Sequence, residues 1–185
     1  MLVAAALASA SCANNQTVLP ALDDPVLAGP EGVLKSPEQQ ATEQATAAIT
    51  RYYQVLSGVL SGATAEAELA SVASAPYLQQ LQREVHDLKS PEVRIAGTVR
   101  AGAVAPVKIV APQDREKAPI PGQAQAEMRV CEDRAGLTVT GKPADSLPSA
   151  ARLRRFVLTN PQWPAGQWVI ERQFAMPDTA CDKPY

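Results

Sequence analysis

The spacing of apolar residues changes once along this chain, and that change constrains the fold more than any single residue does. From Ser36 onward, Ile49, Tyr52, Tyr53, Leu56, Val59 and Leu60 recur at helical spacing. Ser36 precedes Pro37 and Glu38, the order expected of an N-cap followed by a proline at the first helical position and an acid in the first turn. The pattern predicts a helix over about 38–61 that stops near Gly62. A second helical stretch is expected from Thr64, with Leu69 and Val72 inward. Pro76 interrupts it and opens a further helical segment carrying Tyr77, Leu81, Val85 and Leu88 to about Lys89.

After that point the period becomes two. Val93, Ile95, Gly97 and Val99 alternate with Arg94, Ala96, Thr98 and Arg100, as a half-buried strand requires. Val107 to Val110 forms a second run, and Ala126, Met128 and Val130 share one face of a third. Leu137 to Thr140 continues the sheet after a turn at Gly136. Arg152 to Thr159 and Gln167 to Ala175 supply the last two strands, joined by a loop from Pro161 to Gly166. Pro119 and Pro121 beside the charged run from Asp114 to Lys117 mark residues 112–123 as a surface loop, and 141–148 reads as another. Helices followed by antiparallel strands give an α+β domain, with the helices at its N-terminal side.

The first twelve residues, MLVAAALASASC, do not belong to that pattern. Leu2 to Leu7 is apolar and uncharged, Ala8 to Ser11 are small, and Cys12 follows. The segment resembles the end of a bacterial lipoprotein signal. The resemblance implies a signal peptide over 1–11, lipidation at Cys12, and anchoring at the outer face of the cytoplasmic membrane in the cell envelope. Eleven residues are too few to span a bilayer, which needs about twenty. With no Lys or Arg before Lys35, we expect translation to start upstream of Met1. An ordinary buried apolar N-terminus is the other reading of these residues. Residues 12–37 hold Pro20, Pro25, Pro30 and Pro37 among polar residues, so they read as an extended linker, with the domain over 38–185.

With Cys12 assigned to a lipid, Cys131 and Cys181 remain as an even pair, which in an exported domain is expected to form a disulfide. Two buried thiols in a cytosolic protein are the alternative. The strands before the two cysteines run the same way in an up-down-up order, so their ends are expected to meet at one edge of the sheet.

The order of helices and strands, ending in Gly166, Trp168 and Ile170 with a closing cysteine, resembles the NTF2-like (SnoaL-type, cystatin-like) domains of actinobacterial lipoproteins and of small phage or prophage lipoproteins. The resemblance implies a curved sheet wrapped around a long helix, in a family whose functions run from enzymes to scaffolds; we expect a binding or interaction module rather than an enzyme. For a phage-type protein it implies surface protection against later infection. A host envelope accessory or lipid-handling protein, and an enzyme with a small-molecule pocket, are the rival readings.

Candidate functional residues are few. The last strand alternates Trp168, Ile170, Arg172 and Phe174 on one side, so an inward Arg172 near Tyr53 and Trp168 is a candidate pocket for an anionic ligand. The competing reading pairs Arg172 with an acid such as Glu127 or turns it to the sheet edge. Arg152, Arg154 and Arg155 put three positive charges on one strand, able to meet anionic headgroups or simply to face solvent. His86, between Glu84 and Asp87, reads as a surface histidine. Nothing around it has the spacing of a nucleophile–base pair. Neither a metal nor a cofactor is expected. A net charge of −2 and a pI near 5.5 give no reason to expect nucleic acid as a partner.

Overall fold

The computed structural model describes residues 35–89, 94–134, 136, 138–140, 151–176 and 181. The signal-like segment, Cys12 and most of the expected linker lie outside the described residues. Helix α1 spans Pro37–Ser61. Ser36 caps it with a full capping box: its Oγ accepts the Gln39 N–H, and the Gln39 side chain accepts the Ser36 N–H. The helix ends at Gly62, whose φ of 78° is the left-handed conformation that glycine adopts without a Cβ clash. A short 3₁₀ segment, Glu66–Ser71, buries Leu69, and helix α2 runs Ala75–Leu88 from an N-cap at Ser74. Pro76 thus sits in the first turn of α2, where its missing N–H costs nothing.

Among the described residues six strands follow: β1 Arg94–Ala96, β2 Arg100–Val110, β3 Gly122–Asp133, β4 Thr138–Thr140, β5 Ala151–Trp163 and β6 Val169–Ala175. The larger sheet has the order β2-β3-β5-β6, antiparallel throughout, and β1 pairs with β4 in a two-stranded extension. The domain is α+β, with its helices on one face of the larger sheet. Strand β5 is longer than expected. It continues through Pro161 and Gln162 to Trp163, so the turn into β6 is reduced to residues around Pro164–Gly166.

Ala41, Ala45, Ile49, Tyr52, Tyr53, Val59 and Leu60 make up the buried stripe of α1. That stripe meets the inner row of the sheet, in which Ala124, Ala126, Met128 and Val130 of β3 lie beside Phe156 and Leu158 of β5 and Ile170 of β6, all at most 1% exposed. Helix α2 adds Tyr77, Leu81 and Val85 to the same core. Alternation along each strand therefore leaves Lys108, Glu127, Arg155, Val157 and Arg172 on the opposite, outer face.

Cys131 and Cys181 form a disulfide with their Cα atoms 5.4 Å apart. The expectation that the preceding strands run the same way holds. Their ends do not meet at an edge, however, because β3 is an interior strand and β5 lies between it and β6. Cys131 pairs in register with Leu153, so both side chains face outward, and Leu153 is nevertheless 3% exposed. The cross-link therefore holds Cys181 beside β3 on the outer face.

Candidate functional site

The inner face carries two polar clusters, both built on the paired tyrosines of α1. Tyr52 and Tyr53 are adjacent, so their rings diverge around the helix, meeting edge to face at 5.2 Å, and both pack on Phe156. The Tyr77 hydroxyl donates to Gln173 Oε1 at 2.6 Å. Tyr52 lies 3.2 Å from the same oxygen and 3.1 Å from the Tyr77 hydroxyl. With one proton per phenol, the short contact takes Tyr77's proton, and Tyr52's is shared between the Gln173 and Tyr77 oxygens.

The second cluster centres on Glu132, which is 2% exposed. Its Oε2 accepts the Tyr53 hydroxyl at 3.1 Å, while Oε1 takes Arg134 Nε and, at 3.5 Å, Arg154 Nη2. Arg154 Nε is buried without a partner. Burial, together with the guanidinium groups of Arg134 and Arg154, lowers the Arg152 pKa. Among the described residues, the phenols of Tyr52, Tyr53 and Tyr77 are thus occupied as donors and the buried Glu132 carboxylate is held by two cations, so these polar groups brace the core.

Burial raises the phenol pKa of Tyr52, Tyr53 and Tyr77, and the Glu132 charge adds to the effect at Tyr53. A raised folded-state value means these phenols stay protonated in the fold, whereas in the unfolded chain they ionise near pH 10. Their stabilising contribution is full below about pH 10 and is lost as the pH rises beyond it. An alkaline titration followed by tyrosinate absorbance and far-ultraviolet circular dichroism should show at most one of the four tyrosines ionising before the fold is lost. Three phenols titrating near pH 10 with the dichroism unchanged would contradict the burial.

Tyr53, Trp168 and Arg172 do not converge. Trp168 lies toward the start of α1, where its indole N–H donates to Gln44 at 2.9 Å and its ring meets Trp163 edge to face at 6.2 Å. Arg172 is exposed on the outer face. The physical reason is a bulge. Leu158 pairs with Ile170 and Val157 with Arg172, so Glu171 is an extra residue opposite no partner. It reverses the inward and outward phase of the strand, turning Arg172 and Phe174 out and Gln173 in. Tyr53 does line a cleft of about 470 Å³ between α1 and the start of β2. There Ser57 Oγ is already committed, donating to Val99 O at 2.8 Å and accepting Val99 N–H at 3.0 Å.

The three arginines of β5 divide. Arg154 points inward to Glu132, Arg155 outward to Glu127 at 2.7 Å, and Arg152 is exposed at the strand start. The acid Glu127 thus partners Arg155 and not Arg172. His86 is exposed on α2. Among the described residues, no three His, Cys, Asp or Glu side chains gather to hold a metal.

A groove of about 300 Å³ opens on the outer face, lined by Lys108, Glu127, Arg155, Val157, Arg172 and Phe174 among others. Lys108, Glu127, Val157 and Arg172 form one row across all four strands. The Arg155 guanidinium lies 6.0 Å from the centre of the Phe174 ring. Sequence reasoning missed this groove because the bulge that builds it has no side-chain signature. It also missed Glu132, although extending the Ala126, Met128, Val130 alternation by one step places that residue inward.

No protein-family model and no curated protein sequence matches the chain. Among solved structures, the chain is similar to the intermembrane space region of the chloroplast protein ARC6. The TM-score is 0.52 at 9% identity, over 73% of this chain and 95% of that one. At that identity the likeness concerns the fold alone. Among the described residues no helix is long and apolar enough to cross a membrane.

Proposed function

We propose that this chain is an extracytoplasmic lipoprotein, anchored through Cys12, whose single NTF2-like domain works as a binding module rather than as an enzyme. The observation that carries the reading is the Cys131–Cys181 disulfide, since such cross-links persist in oxidising compartments outside the cytosol. The signal-like start and the proline-spaced stretch after it supply an anchor and a tether. A coil of some 25 residues has an end-to-end distance of roughly 25–30 Å, enough to hold a domain clear of a bilayer.

Binding is favoured over catalysis by how the polar groups are used. The interior tyrosines and Glu132 satisfy one another, whereas the groove on the outer face gathers three cations around one acid. The packed core, with Tyr52, Tyr53, Phe156 and Trp163 at most 2% exposed, favours an interaction module over a lipid-handling tunnel. Surface protection by a prophage is the role we assign to such a module.

The test is intact mass and membrane partitioning of the chain expressed in an actinobacterial host, beside a Cys12→Ala variant. The expected result is a diacylglycerol mass increment and membrane retention for the parent chain, both lost in the variant. A parent chain that is soluble, unmodified and carries free thiols overturns the reading.

A further inference from the structure

We infer that the outer-face groove docks on the phosphate headgroups of an anionic membrane. The inference rests on the anchoring proposed above for its biological setting, but the chemistry is set by the sheet. Lys108 and Arg172 close the two ends of a four-strand row, three inter-strand spacings or about 14–15 Å apart at the backbone. Between them Glu127 is taken up by Arg155 at 2.7 Å, which leaves the charges of Lys108 and Arg172 without a carboxylate on this row.

The groove therefore carries a net excess of two positive charges, which one or two phosphodiesters complement. Phe174 and Val110, each 44% exposed, stand beside these cations and give the surface the mixed cationic and apolar character that suits an interface between headgroup and acyl chain.

Charge is also polarised through the domain. Residues 35–89, the helical layer, contain six acidic against four basic side chains, whereas the described residues among 94–176 contain eleven basic against six acidic. A negative surface potential consequently orients the domain with its sheet toward the bilayer and its helices away. An overall charge of −2 conceals this asymmetry. The bulge at Glu171 adds Arg172 and Phe174 to the outer face, because without the phase reversal they would point into the core.

The test uses the full chain carrying Cys12→Ala, so that no attached lipid contributes, and vesicles of pure phosphatidylcholine or with phosphatidylglycerol added. Co-sedimentation with the phosphatidylglycerol vesicles alone is expected, weakening with salt over the range that screens surface charge. Lys108→Gln and Arg172→Gln should each lower the partition coefficient about fivefold, at roughly one interfacial charge apiece. The melting midpoint should stay unchanged, since both side chains are exposed. Arg51→Gln with Lys89→Gln removes the same charge from the helical layer and should leave binding intact.

Equal binding to both vesicle types, or equal losses from the two pairs of variants, overturns the inference. So does inorganic phosphate shifting the amide signals around Lys108 and Arg172 while vesicles leave them unmoved, which would assign the groove to a free anion. Because Cys12 is absent throughout, vesicle binding stands or falls independently of whether the parent chain is lipidated.

Discussion

Replacing Cys131 and Cys181 together by serine lowers the unfolding free energy by about 4 kcal/mol, the value expected when a cross-link closing some fifty residues no longer restricts the unfolded chain. For a domain of this size the melting midpoint falls by roughly 8–16 °C. The double replacement is preferable to a single one because it leaves no lone thiol to form intermolecular bridges. The bridged residues are not part of the helix–sheet core, so the native circular dichroism should be preserved. The denaturant slope should rise, since an unfolded chain without the cross-link exposes more surface. A midpoint within a degree or two of the parent, measured with the parent's thiols confirmed as oxidised, would show that the cross-link does not constrain the unfolded state and remove this account of its stabilising effect.

Glu132→Ala is expected to cost a further large amount, about 3–5 kcal/mol, the range for removing one partner of a buried ion pair. The carboxylate is 2% exposed and serves Tyr53, Arg134 and Arg154 together. Its removal leaves a phenol and two guanidinium groups without their shared acceptor, next to the further positive charge of Arg152. The arginine side chains keep 19% and 14% of their exposure and can turn partly to water, which places the expected cost toward the lower end.

Two companions separate the contributions. Tyr53→Phe removes only the hydrogen bond to the carboxylate and should cost about 1 kcal/mol. Arg154→Met in the Glu132→Ala background should recover part of the loss by removing an uncompensated cation. Chemical denaturation of the four proteins decides the matter. If Glu132→Ala is no worse than Tyr53→Phe, the ion pairs contribute nothing and the carboxylate acts only as an acceptor for the phenol.

Much of the architecture was legible because it depends on short-range periodicity. Ser36, Pro37 and Gly62 bound the long helix through local capping chemistry, and Pro76 sits in the first turn of α2, where proline is tolerated. The alternation through Ala126, Met128 and Val130 identified an inner strand face, and the exposed His86 followed from its charged neighbours. The evenness of Cys131 and Cys181 was enough to pair them, and the structure joins them. Strand ends were less legible. Pro161 looks like a loop residue, yet β5 runs through it to Trp163.

The candidate site was not legible, and the reason is the phase of one strand. The sequence by itself determined the α+β class, the helix boundaries, the cysteine pairing and which residues are available to carry charge, because these follow from local propensity, apolar period and simple counting. Only the tertiary structure decided that β3 is an interior strand, which places the disulfide on the outer face rather than at a sheet edge, and that Glu171 is bulged, which exchanges Arg172 for Gln173 in the core. A bulge is selected by the register of the neighbouring strand and by the shape of the core it must close over. Those are long-range constraints with no local signature, so a period-two reading carries the wrong face forward from the first extra residue.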